Sequence, residues 1–233
     1  MCGRYVSPDQ AAIERAWHIG GHHSNPFKRR FNVAPTTLVP LIRHPAEAGE
    51  LELLEARWGF VPRWWKTEKL PRHTFNARSE DAASKPVWKE AYLAGRCLIP
   101  AEGWYEWKTV RRPDWTTGKV GAAKQPYFIH RADRKLVCFA GLMSVWGELQ
   151  APTCAILTRA AAPSVADVHD RMPVVLPDAA IEPWLDPALK TTEAVAAVIR
   201  SAQTEFEHYP VSSKLNTAKE DTPELIEPLA QDS

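Results

Sequence analysis

The chain has 233 residues. Hydrophobic residues make up 45% and charged residues 24%, a balance that excludes disorder as the main state, and a chain of this length buries enough surface to fold without disulfide or metal. It has no apolar run of about 18 residues, and MCGRYVSPDQ lacks a secretory signal, so the cytoplasm is the expected location. The net charge of +1 hides a split: residues 1–150 hold 23 Lys+Arg and 15 Asp+Glu (+8), and residues 151–233 hold 6 and 13 (−7). Such a chain can present a basic face to a polyanion, unless folding intermixes the charges.

In chain order, Ser7-x-x-Gln10 is a capping-box pattern that predicts a helix over about 8–17. Residues 18–30 read as a loop. TLVPLIR and ELLEARWGF read as strands joined by a Pro/Gly-containing turn, and WKTEKLPRHTFNARSE as a polar, irregular connection. SKPVWKEAYLAG predicts a helix with Pro86 near its start and Gly95 after its end. RCLIPAEGWYEW reads as strand, break, strand. Residues 109–124, with their turn formers and basic residues, read as a flexible loop or hairpin tip. PYFIH, KLVCFAGL and TCAILT are strands; PDAAIEPWL and TTEAVAAVIRSAQ are helices; HYPVSSKLN is a short strand entering a loop. The pattern is an α+β fold: one domain over 1–233, with a curved, barrel-like, largely antiparallel β core, peripheral helices and a flexible last few residues.

Cys2, Cys97, Cys138 and Cys154 form no CxxC pair. The last three lie in apolar strand-like runs and read as buried small hydrophobes. Cys2 directly follows Met1, and aminopeptidases remove Met before a small side chain. The mature residue would then carry an α-amine and a thiol with reference pKa values of about 7.7–8.0 and 8.5. This 1,2-aminothiol can condense with an aldehyde to an imine and close to a thiazolidine. The opposing reading is a frayed terminus. Glu106, flanked by Tyr105 and Trp107, is a candidate for a raised pKa and general-acid work, or a solvated strand residue. His169, followed by Asp170 and Arg171, is an acid/base candidate or a structural histidine. RWGFVPRWWK interleaves cations with aromatics, as surfaces that stack bases and hold phosphates do; alternate aromatics could instead point into the core. His22-His23 has no third ligand at fixed spacing, so no metal is expected.

MCGRY, FNVAPT (31–36), WGFVPRWW (58–65), NARSE (76–80), RCLIPAEGWYEW (96–107), FAGLM (139–143) and HDRMPVVL (169–176) occur in this order. Together they resemble the SRAP (SOS-response-associated peptidase) family of abasic-site processing proteins, over about residues 1–230. Phe31 stands where the family often has Tyr. The resemblance implies a monomeric, cofactor-free protein that binds single-stranded DNA containing an abasic site, joins the nucleoid when bound, and forms a thiazolidine cross-link through its N-terminal cysteine. Carried over by motif, Cys2 is the nucleophile, Asn76 positions the reacting end and sugar, Glu106 promotes ring opening, and His169 assists proton transfer. Arg4, Arg78 and Arg171 hold phosphates, and Trp64 and Trp65 contact flanking nucleotides. Lyase activity and peptidase-like removal of Met1 are further possibilities for such a chain.

The main rival is an N-terminal-nucleophile thiol amidohydrolase, which can also begin Met-Cys-Gly; no glutamine-site motif follows MCGRY. A thiol peptidase and a plain single-strand binding module are the others.

Overall fold

The computed structural model describes residues 2–19, 26–45, 50–67, 69–113, 120–147 and 150–229. His22-His23, the turn at 46–49 and the last four residues lie outside them. Strand β1 (Tyr5–Ser7) leads into helix α1 (Gln10–Trp17). Asp9, rather than Ser7, caps this helix by accepting the Ala12 N–H at 2.8 Å; the expected Ser7–Gln10 box does not form, since the Ser7 hydroxyl donates to the Pro8 carbonyl, and the helix starts two residues later. Strands β2 (Arg30–Val33), β3 (Leu38–Arg43), β4 (Glu52–Trp58) and β5 (Asn76–Arg78) follow, then helices α2 (Ser79–Ala82) and α3 (Pro86–Ala94). Next come β6 (Arg96–Ala101), β7 (Gly103–Pro113), β8 (Val120–His130), β9 (Val137–Trp146) and β10 (Ala151–Ala160). The chain ends with β11 (Arg171–Pro173), β12 (Val175–Leu176), α4 (Asp178–Leu185), α5 (Thr192–Arg200) and β13 (Glu207–Pro210), plus two single turns of 3₁₀ helix.

Five strands close into a barrel in the order β10-β4-β3-β6-β9, with β9 returning to β10. Strict alternation of direction cannot close an odd ring, so one neighbouring pair must be parallel. Here it is β4 and β10, through Thr153 opposite Arg57 and Cys154 opposite Trp58. Strands β5 and β11 flank the C-terminal half of β10, β5 in parallel and β11 antiparallel. A second, antiparallel sheet runs β13-β8-β7-β1-β2.

Strand pleat divides the core. Cys97, Ile99 and Ala101 of β6, Val137, Phe139 and Met143 of β9, and Cys154 and Ile156 of β10 share one buried cluster. The alternate residues Leu98, Cys138, Ala140, Leu142, Ala155 and Leu157 pack with α3, α4 and α5 in another. With both faces covered, β6 reads as a continuous apolar run, RCLIPA. Cys2, Tyr5 and Trp104 belong to the first cluster. Gly103 opens β7 where a Cβ would collide with the Ile129 carbonyl oxygen, so the smallest residue lets β8 close against it.

Two stretches depart from the sequence reading. Most of 109–124 is strand: β7 and β8 pair without a break from Trp104 opposite Ile129 to Pro113 opposite Val120. NARSE is not an irregular connection; it forms β5 and the start of α2, with Asn76 opposite Ile156. The charges also intermix across the split, through Arg30–Asp221, Lys108–Asp167 and Arg131–Asp178. No described helix is long and apolar enough to cross a membrane.

Candidate active site

Cys2 is fully buried, so it is not a frayed end. Three restraints hold this segment. The Asn76 side-chain amide donates to the Cys2 carbonyl at 2.6 Å. The Tyr105 N–H donates to the Arg4 carbonyl at 3.0 Å. Tyr5 pairs with Val33 and Trp104 and packs edge-on against Trp58 and Phe139. Burial pushes the Cys2 thiol well above its ordinary range, and the charge of nearby Glu106 adds to the effect. The resting sulfur is therefore a thiol rather than a thiolate.

Asn76 reaches the site because β5 lies parallel to β10. Its Oδ1 is buried and accepts no hydrogen bond from the described residues, which leaves an acceptor directed at neither sheet nor solvent. Glu106 is 2% exposed on β7. Burial pushes its carboxyl up to about 7, with Asp170 contributing repulsion. The aromatic neighbourhood that suggested a raised pKa in sequence is thus matched by desolvation in the fold.

His169 follows a loop that is tied on both sides. Asp167 accepts from Lys108 of β7 at 2.7 Å and lies 3.1 Å from His208 Nε2 of β13; Ala161 N–H donates to the Asp170 carbonyl at 2.9 Å. The Arg171 N–H donates to His169 Nδ1 at 2.9 Å, Asp170 Oδ1 lies 2.9 Å from the same atom, and the far side of the ring presents Nε2. That nitrogen stands 3.8 Å from Glu106 Oε2. Burial lowers the His169 pKa, favouring the neutral ring. Glu106 and His169 thus form a carboxyl–imidazole pair in which each neutral form is stabilised. It joins β7 to the segment before β11 and lies beside Cys2.

The predicted cations differ in their surroundings. Arg78 is exposed at the end of β5. Arg171 is half-buried and clamps Glu80 through both terminal nitrogens, at 2.5 and 3.0 Å, and also donates to the Thr158 carbonyl and hydroxyl. Arg4 is half-buried, and its Nε meets no acceptor among the described residues. Trp64 is 53% exposed and tilts against Trp65 with ring centroids 5.9 Å apart. The Trp65 carbonyl accepts from the Trp146 indole, and Trp146 stands opposite Ala151, five residues along β10 from the partner of Asn76. At about 3.3 Å per residue the Trp146 register, to which Trp65 is tied, lies roughly 16 Å along β10 from that of Asn76.

Sequence reasoning missed several supporting residues. Glu80 lies in NARSE and signals its role only through Arg171. Asn32, in FNVAPT, donates to the carbonyls of Leu215, Thr217 and Glu220, while Asp221 accepts from the Phe31 and Asn32 N–H groups. That motif anchors the C-terminal segment. Glu102, in the same RCLIPAEGWYEW run as Glu106, forms a bidentate pair with Arg29 at 2.6 Å.

The family model "SOS response associated peptidase (SRAP)" matches residues 1–218. The chain belongs to the SRAP family. It is 33% identical to the abasic site processing protein YoqW of Bacillus subtilis, over 97% of this chain and 99% of that one. It is 35% identical to YedK of Escherichia coli (86% and 85%) and 32% identical to HMCES of Gallus gallus (98% and 78%), both also named abasic site processing proteins. A solved phage-related protein of Bordetella bronchiseptica aligns with a TM-score of 0.68 and 31% identity over 91% of this chain and 95% of that one. A protein of Bacteroides thetaiotaomicron shares the fold, with a TM-score of 0.76 at 22% identity over 98% and 100%.

Proposed function

We propose that the chain processes abasic sites in single-stranded DNA by forming a thiazolidine between mature Cys2 and the ring-opened sugar. The observation that carries this reading is the convergence of a buried position-2 cysteine, the Asn76 amide and the Glu106–His169 pair at one end of the barrel. The names of the relatives supply the substrate class.

An abasic sugar is mainly a closed hemiacetal. Opening it breaks the bond between C1 and the ring oxygen; that oxygen gains a proton and the C1 hydroxyl loses one. A carboxyl titrating at about 7 can donate to the ring oxygen at neutral pH. Release of Met1 gives Cys2 its free α-amine. The amine adds to the aldehyde carbon and water leaves, giving an iminium. The thiol then adds to the same carbon and its proton passes to the Glu106 carboxylate. Aldehyde plus aminothiol gives thiazolidine plus one water. The raised thiol pKa supports this order, since a neutral sulfur is a poor first nucleophile and needs a base for the second step. Fixing amine, sulfur and aldehyde together raises their effective concentration.

In this reading Asn76 holds the reacting end through the Cys2 carbonyl and offers Oδ1 to a sugar hydroxyl or the amine. Burial keeps Glu106 protonated, and neutral His169 relays its proton. Arg4 and Arg78 hold phosphates. Arg171 orders Glu80 and the backbone beside His169, and meets DNA when Glu80 yields. Trp64 and Trp65, a few nucleotides away, stack on the flank. One domain acting as a monomer suffices.

The test is a denaturing gel of the protein incubated with a single-stranded oligonucleotide carrying one abasic site. Wild type is expected to give a heat-stable shifted band, and Cys2→Ala none. A band of equal strength with Cys2→Ala would remove Cys2 from the reaction.

A further inference from the structure

Beyond Trp107 and Pro126, β7 and β8 leave the sheet. Strand β1 meets β7 only at Gly103 and Trp104, and β13 meets β8 only from Tyr127 to His130. The remainder is a two-stranded ribbon with no third strand on either edge among the described residues. It starts one residue from Glu106 and runs six residues to Arg112, about 20 Å at ~3.4 Å per residue. A ribbon with no third strand and little apolar cover is a poor element for stability alone. Its side chains indicate another use.

Arg111, Arg112 and Lys124 are exposed, and no described residue of the ribbon beyond Glu106 is acidic. By the pleat, Arg112 is on the Glu106 face of β7, while Arg111 and the Thr109–Lys124 pair are on the other. The root is rigid. Arg112 donates to Gln125 Oε1 at 2.5 Å, and the buried Gln125 amide donates to the Pro126 and Val211 carbonyls. The root also touches the loop before His169, because Lys108 donates to Asp167 at 2.7 Å.

We propose that this ribbon is a second DNA-binding surface, which holds the phosphodiester backbone flanking the lesion. The inference rests on the abasic-site reading for its ligand and deepens it. A strand end at the Glu106–His169 pair would continue past the Lys108–Asp167 ion pair onto a ribbon whose own described charges beyond that point, Arg111, Arg112 and Lys124, are all basic. About 20 Å spans some six nucleotides of B-form rise at 3.4 Å each, within the reach of a two-stranded ribbon in a groove. Neither strand needs to read sequence; cations on both faces, Arg112 on one and Arg111 with Lys124 on the other, suit a backbone.

The test uses the full chain and the triple variant Arg111→Ala, Arg112→Ala, Lys124→Ala, all at exposed positions. Abasic oligonucleotides would carry two nucleotides on each side of the lesion, or twelve, single-stranded in one arm and paired in the other. The variant is expected to match wild type in adduct formation on the short substrate at saturating protein. On at least one long substrate it should bind about tenfold more weakly, with a salt slope shallower by about 2 for single strands or 3 for duplex. The arm that responds identifies the form of DNA held. Unchanged affinity and slope on both long substrates would overturn the proposal. If wild type forms no adduct at all, the abasic-site reading fails, while the slopes on an intact oligonucleotide still decide the fate of the ribbon.

Discussion

The two ends of the barrel handle their buried polar groups in opposite ways. Away from Cys2, Arg96 is 8% exposed, and each of its three guanidinium nitrogens is hydrogen-bonded. It donates to the Tyr92 and Leu93 carbonyls in the last turn of α3 and to the Trp184 and Asp186 carbonyls at the end of α4. One cation thus serves the orphan carbonyls and the negative dipole ends of two helices. At the Cys2 end, Asn76 Oδ1 and Trp104 Nε1 meet no partner among the described residues, and Glu106 is buried at the cost of a carboxyl pKa near 7. The first end turns buried polarity into stability. The second retains it for chemistry, and strain of this kind persists only where the surrounding fold holds it.

Glu106→Gln breaks that contrast most severely. It keeps the shape but removes the titrating proton, and it is expected to slow adduct formation on closed-ring abasic DNA by about a hundredfold. Wild-type rates should fall as pH rises through about 7, where the acid form is lost, and the variant should lack this limb. Single-turnover gel assays across pH check both; equal rates would take Glu106 out of the reaction.

Arg96→Met acts at the other end. It leaves four helix-terminal carbonyls without their cation and is expected to lower the unfolding free energy by about 3 kcal/mol, read by denaturant titration. The adduct rate of the folded fraction should not change. A variant that instead lost reaction rate at intact stability would show that the two ends are coupled.

The same Glu106→Gln change tests the cost of the reactive end. A carboxyl at about 7 in the fold and 4.5 in the unfolded chain is charged first in the unfolded state. Stability is therefore lost as pH rises from 4.5 to 7 and stays lost above it. Relative to wild type, Gln should be more stable at pH 8 than at pH 5, by about 2 kcal/mol. The smallest effect belongs to Asp167→Asn. Its pairs with Lys108 and His208 are partly exposed, so stability should fall by less than about 1 kcal/mol. Adduct formation should slow several-fold as the loop before His169 loosens; an unchanged rate would make the clamp purely structural.

Much of this was legible in sequence, for identifiable reasons. The apolar runs of β6, β9 and β10 and the Pro86-to-Gly95 helix carry local signals that tertiary packing did not override. Glu106 among aromatics foretold a desolvated carboxyl. β5 was hidden because three residues, one polar and aimed at the site, carry no period, and their pairing partner lies 80 residues away. The ribbon was hidden because both its faces are exposed, so no apolar alternation marks it. The parallel seam that closes the barrel has no sequence signature. The meeting of Asn76 with Cys2 was legible only through the family's motifs, since nothing local ties residue 76 to residue 2.

The central claim is that Cys2 reacts through both its amine and its sulfur. Intact mass spectrometry of the protein incubated with an abasic oligonucleotide tests it most directly. The account predicts a species equal to the protein without Met1, plus the oligonucleotide, minus one water, which persists without a reducing agent. Met-less protein that stays unmodified beside intact abasic DNA would contradict it.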